Sequence, residues 1–329
     1  MIDIKNLPPM KLLKTLNYEY PEAWELAERV FNEFNDWNHD ITYLPISAGI
    51  EIAGFLGKKS HTEKVQDGSL LACMAGWRKT KMIYNFDKTL SEELFLQAKD
   101  TIDVSLDMLR LPAYSIYLRP NIESDYDGVF VFMDINKTQA ELRFLPINKK
   151  GRPVVTAYLI LPSNGTETIA NIIDNQIEIF KNEDIHNSKF IEGITEEQAR
   201  EDMEEYFVIM KENISRWVNL LLYLSAVNSE IKHDTKHFFR RSRKVKDIPR
   251  EVELLNVGET VGLRLRTLRA KYEHSEPQGG HHRTPVVHVR KAHWHTFLYG
   301  EKRKHKRLKW LPPIVVNGDT PDVTITKVL

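Results

Sequence analysis

Residues 281–313, HHRTPVVHVRKAHWHTFLYGEKRKHKRLKWLPP, concentrate side chains that could do chemistry. Histidines, lysines and arginines crowd together there with Trp294 and Trp310. Metal-independent RNA cleavage needs a base for the 2′-hydroxyl, an acid for the 5′-oxygen and a cation for the developing phosphorane charge. Imidazole titrates near neutrality and suits the first two tasks. Guanidinium or ammonium suits the third. His293 and His295, with His288, Arg290 and Arg307 nearby in sequence, supply these types and form a candidate ribonuclease site.

Two other readings use the same residues. The His293/His295 pair with His281, His282 or His288 could give three imidazoles to zinc or another transition ion, but the spacing is not diagnostic of a metal centre. No cofactor is called for. Alternatively, the histidines hydrogen-bond locally or touch RNA phosphates while Trp294 and Trp310 pack a core, making the protein a non-catalytic adaptor that recruits host nucleases. A DNA-binding repressor is disfavoured, since no helix-turn-helix pattern is evident.

Positioning such groups requires a defined element. His293-Trp294-His295 on a strand sends both imidazoles to one face and the indole to the other. Thr296 and Leu298 then follow Trp294, while Phe297 and Tyr299 follow the histidines. The pattern predicts a β-hairpin in which His293–Tyr299 pairs with Arg307–Leu311, around a charged tip from Glu301 to Lys306, with Pro312-Pro313 ending the second strand.

Upstream, four β-rich runs (Ala113–Leu118, Gly128–Asp134, Gln139–Pro146 and Val154–Leu161) predict an antiparallel meander. Helical periodicity marks Pro21–Trp37, Ser69–Lys81, Thr89–Thr101, Ile169–Lys181 and Thr195 to about Ser225, whereas Ile46–Leu56 is mixed. Val257–Tyr272 reads as a basic amphipathic helix after a turn. Its Gly258 and Gly262 make no phosphate loop, because no Lys-Ser/Thr follows and no strand clearly precedes. The fold class expected is α+β: an N-terminal antiparallel sheet covered by helices on one face, and a smaller basic C-terminal module with the hairpin.

Charge supports that division. The 329 residues hold 46 Lys+Arg and 46 Asp+Glu, but residues 230–311 carry 21 basic against 9 acidic side chains. An acidic domain, 1–229, is therefore expected to select a target, and a basic module, 230–329, to face a polyanion; the alternative is that the two halves neutralise each other across an internal interface. The expected nucleic-acid contacts are Lys236, Arg240, Arg241, Arg243, Lys244, Arg264, Arg266, Arg269, Lys291, Lys302, Arg303, Lys304, Lys306 and Lys309. No apolar run is long enough for a membrane span, no signal-peptide core opens the chain, and Cys73 is the single cysteine; a cytoplasmic protein is expected.

Several segments together resemble a known family. They are Gly76-Trp77-Arg78-Lys79-Thr80 followed by Ile83-Tyr84, the strand Pro112–Leu118, Asp127-Gly128, Leu220–Ala226, Val289-Arg290-Lys291-Ala292-His293-Trp294-His295, Gly300, Lys309-Trp310 with Pro312-Pro313, and Val316-Asn317. In this order, over roughly 70–317, they resemble the type V-A anti-CRISPR family whose members suppress synthesis of the type V CRISPR effector nuclease. The resemblance implies an inhibitor from a phage or mobile element that recognises the emerging effector polypeptide and causes loss of its transcript. The basic module would then meet ribosomal or messenger RNA, and Trp77 with Arg78 is a candidate peptide contact. The tip, Lys302–Lys306, is longer and more basic than the family pattern.

Overall fold

The strands of the meander carry apolar residues at successive positions, as in Ile116-Tyr117-Leu118 and Val129-Phe130-Val131-Phe132, all of them buried. Runs of this kind belong to strands covered on both faces. The computed structural model shows that arrangement; it describes residues 3–57, 60–100, 102–136, 139–154, 156–188, 196–233, 251–273 and 288–316. The fold is α+β, with a large sheet and a small C-terminal hairpin. Helices α1 (Pro8–Glu19), α2 (Ala23–Glu33), α3 (Ile46–Leu56) and α4 (His61–Trp77) cover one side of the sheet. Helices α5 (Lys88–Gln97), α6 (Ile169–Ser188) and α7 (Glu196–Ser225) cover the other. The expectation of helices on one face alone is thus corrected, because both sets of alternating side chains are apolar.

The four expected strands are β2 (Ser115–Arg119), β3 (Tyr126–Asn136), β4 (Gln139–Asn148) and β5 (Ala157–Leu161), paired antiparallel in that order. The sheet continues beyond them. Strand β1 (Met82–Phe86) lies parallel to β2 on one side and to β7 (Glu253–Val257) on the other, and β6 (Ile231–His233) closes the edge. The order is β5-β4-β3-β2-β1-β7-β6, so the sheet is mixed, and strands from both sides of residue 230 belong to it. Helix α3 shows no stripe in sequence because apolar residues occupy most of its circumference; Ile52 and Ala53 are its buried contacts.

Helix α8 (Glu259–Glu273) follows β7 directly through Gly258, whose φ of 74° is readily adopted only by glycine. A strand therefore does precede the two glycines, contrary to the expectation above. The N-terminus of α8 is nonetheless closed to a phosphate. Glu230 accepts from the Thr260 and Val261 backbone N–H groups at 2.9 and 3.1 Å and from the Thr260 hydroxyl, while Lys232 pairs with it at 2.6 Å. Burial works against the charged carboxylate, but these donors outweigh it and pull its pKa down to about 2. Gly262 faces Asp87: a Cβ there would stand 1.9 Å from Oδ1, so the bare backbone is what lets α8 meet the start of α5.

The expected hairpin forms, β9 (His293–Tyr299) with β10 (His305–Leu311), and His305 and Lys306 of the expected tip belong to its second strand. It is longer than expected. Outer segments β8 (His288–Arg290) and β11 (Ile314–Val316) pair in the same register. Between the two ladders, Pro312-Pro313 stand opposite Lys291-Ala292. Proline has no N–H to donate, so one ribbon is interrupted there rather than ended.

Candidate functional site

The two faces of the β9–β10 ribbon have opposite tasks. Trp294, Leu308 and Trp310 point into the core beneath. The Trp310 indole N–H donates to Oε1 of Gln97 at 2.8 Å, and that of Trp294 to Oδ1 of Asn219 at 2.7 Å. Asn228 clamps Trp310 further, donating to its carbonyl and accepting its N–H. With α5 and α7 gripping one face, the opposite face is held outward.

That outer face presents His293, His295, Phe297 and Tyr299 from β9, opposite Leu311, Lys309, Arg307 and His305 from β10. The imidazole of His295 meets Phe297 edge to face, with centroids 4.2 Å apart. Arg307 and Lys309 each lean one step along the ladder: Arg307 lies 5.2 Å from the Tyr299 ring centre and Lys309 lies 5.3 Å from that of Phe297. His305 stacks obliquely on Tyr299 at 5.5 Å. The result is a surface of rings alternating with positive charge, exposed at His295, Tyr299, His305 and Arg307 and half-buried at Phe297 and Lys309. At its end the tip residues Lys302, Arg303 and Lys304 are exposed, and among the described residues no carboxylate pairs with them.

His293 is more constrained. Its Nδ1 lies 3.3 Å from the Lys291 carbonyl and its Nε2 lies 3.4 Å from the Arg290 guanidinium. These two partners fix the orientation of the ring, with Nδ1 turned to the carbonyl and Nε2 to the guanidinium. Of the five candidate catalytic residues, the fold brings His293, His295, Arg290 and Arg307 onto this ribbon. His288 is placed in β8, but its side chain lies outside the described residues.

The expected cationic contacts divide by environment. Arg266 donates to both oxygens of Asp87 and to the Thr89 hydroxyl. Arg269 bridges Glu92 and Glu93 at 3.0 and 3.1 Å. Burial disfavours the charge of Arg269, but the two carboxylates outweigh it and raise its pKa. Lys291 pairs with Asp100 and Lys306 with Asp107. Arg266, Arg269 and Lys306 thereby tie α8 and the ribbon to α5 and the segment after it, while the Lys291–Asp100 pair is exposed and weak. Arg264, Arg307 and Lys309 have no such partner among the described residues. Lys236, Arg240, Arg241, Arg243 and Lys244 lie outside the described residues, as do His281 and His282 of the metal reading. Among the described residues, no cluster of three His, Cys, Asp or Glu side chains is grouped to hold a metal ion.

The pair Trp77-Arg78 is also divided. Trp77 is fully buried, its indole donating to the Met82 carbonyl. Arg78 emerges and lies 4.4 Å over the Trp24 ring. Burial lowers its pKa, against the opposing pull of Tyr43 and Glu28. Phe297, Tyr299 and His305 are absent from the expected contact set. Alternation puts the first two on the histidine face, but His305 joins them only through the cross-strand register. The Asp87, Glu92 and Glu93 partners of α8 have no sequence signal, since they lie more than 170 positions from their arginines.

The sequence matches the AcrVA2-like family, the anti-CRISPR type V subtype A2 family, over residues 84–318. The chain belongs to that family. This AcrVA2-like chain is an anti-CRISPR protein, and family membership implies interaction with the CRISPR system. A solved structure described as the crystal structure of AcrVA2 superposes with a TM-score of 0.61 at 16% identity, covering 94% of this chain and 99% of that one. At that identity the likeness speaks for the shared fold. The curated proteins contain no match. Among the described residues of this anti-CRISPR, no helix is long and apolar enough to cross a membrane.

Proposed function

We propose that this anti-CRISPR lowers production of a type V effector nuclease while the effector is being made. Residues 1–229 recognise the emerging effector polypeptide, the basic module 230–329 engages RNA of the ribosome or the transcript, and the transcript is lost. The observation that carries this reading is the outward β9–β10 face, where His295, Phe297, Tyr299, Arg307 and Lys309 sit together above a base locked by Trp294 and Trp310. Cations serve phosphates, and rings serve bases. On the polypeptide side, Arg78, stacked on Trp24, is partly exposed, whereas Trp77 is buried.

The test is the level of effector transcript in cells carrying wild-type protein or the double variant His293→Ala/His295→Ala. Wild type should deplete the transcript only when it is translated, so an effector message without its start codon should persist. Transcript decay unchanged by the double variant would remove the imidazoles from the mechanism.

A second reading, intrinsic RNA cleavage, uses His293, His295 and His288 as base and acid, with Arg290 and Arg307 as cations. The Arg290 guanidinium, 3.4 Å from Nε2 of His293, favours contact over cleavage, since a base must present that nitrogen to the 2′-hydroxyl. In the contact reading the protein is an adaptor and the cutting is done by host nucleases. Purified protein that cuts the transcript unaided would reverse that order.

A further inference from the structure

Phe297 and Tyr299 are two residues apart on β9 and project from the same face. Strand geometry sets such rings about 7 Å apart. In a duplex, bases along one strand rise by about 3.4 Å, half that interval, and their faces are covered by their neighbours. Only a strand with splayed bases can lay consecutive nucleotides on these two rings.

The cations beside the rings belong to the same device. Arg307 and Lys309 rest near Tyr299 and Phe297 at the ends of flexible stems. A base arriving on either ring can displace the cation toward the phosphate that the base brings with it. Tyr299 is 45% exposed although it is a large aromatic, and the unpaired cations of the tip, Lys302 to Lys304, continue the path beyond it. His295, edge-on to Phe297, extends the platform at its other end.

We infer that the outward face of β9–β10 binds single-stranded RNA by stacking consecutive unpaired bases on Phe297 and Tyr299, with Lys309 and Arg307 taking the flanking phosphates. This rests on the RNA-facing reading of the hairpin and specifies its ligand as unpaired RNA read without base-edge contacts. Binding should therefore tolerate changes of sequence but not pairing of the strand.

The experiment is fluorescence anisotropy with full-length protein and a labelled 12-nucleotide RNA of mixed sequence, alone or annealed to its complement. Variants are Phe297→Leu, Tyr299→Leu, Tyr299→Phe and Arg307→Gln/Lys309→Gln, with circular dichroism and an unchanged denaturation midpoint reporting that each is folded. The single strand should bind at least about 10-fold tighter than the duplex. Each leucine variant should lose about 5- to 100-fold in affinity at an unchanged salt slope, and Tyr299→Phe should bind as wild type. Equal binding of single strand and duplex, indifferent to the leucine variants but lost with the two glutamines, would overturn stacking and leave RNA contact standing. If the wild type bound neither RNA, both readings would fall.

Discussion

The indole of Trp310, in the last third of the chain, donates to the amide of Gln97, 213 residues earlier, and both side chains are buried. The final residue of α5 thereby fixes the second strand of the hairpin, and with it the orientation of the outward face. Gln97→Ala leaves a buried N–H unpaired and should cost about 1–3 kcal/mol. Trp310→Ala should cost about 3–5 kcal/mol by emptying the site of a fully buried ring. Denaturant midpoints followed by tryptophan emission measure both.

Glu230 predicts an acid limit. Its folded pKa lies near 2, well below the ordinary glutamate value. A depressed folded pKa gives stability that is fully present above the unfolded value of about 4.3 and is lost as pH falls through the folded one. Wild type should thus lose stability between about pH 4.5 and pH 2, and Glu230→Gln should lose less over the same interval. Chemical denaturation at a series of pH values measures the difference.

Gly262 and Asp87 should be coupled. Gly262→Ala drives a methyl group into the carboxylate of Asp87 and should cost about 1–3 kcal/mol. In an Asp87→Ala background that collision is gone, so the same change should cost much less. A double-mutant cycle with additive effects would contradict the contact.

Arg269 and Arg307 should separate stability from RNA contact. Arg269→Gln breaks pairs with Glu92 and Glu93 and should lower the denaturation midpoint while RNA affinity measured on folded protein stays the same. Arg307→Gln should leave the midpoint within about 0.5 kcal/mol, weaken RNA binding and flatten its salt dependence by about one ion. Paired unfolding and salt-titration experiments read out both halves.

Cys73 should be inert in the native state. It is fully buried, and burial raises the thiol to about 12 despite its contact with the Ser115 hydroxyl. Iodoacetamide at pH 8 should leave the folded protein unmodified and alkylate it only after denaturant is added, as mass spectrometry would show.

How much of this was legible in the sequence depends on the range of the signal. Alternation from His293 to Tyr299 separated the tryptophan face from the histidine face, because a strand repeats every two residues whatever it packs against. The β2–β5 meander and most helices were legible for the same local reason. The short strands β1 and β7 were not: they pair in parallel although Met82 and Glu253 are far apart in the chain, and nothing within either segment names the other.

By itself, then, the sequence determined which residues share a face, where the cations are dense and, through ordered motifs, the family. The tertiary structure alone decided which cations remain open. Arg266 and Arg269 look like Arg307 and Lys309 in composition, but α5 brings Asp87, Glu92 and Glu93 to the first pair, and no described carboxylate reaches the second. A charge acquires its task from what the fold places within a few ångströms of it, and side chains from distant segments meet there only once the chain has packed.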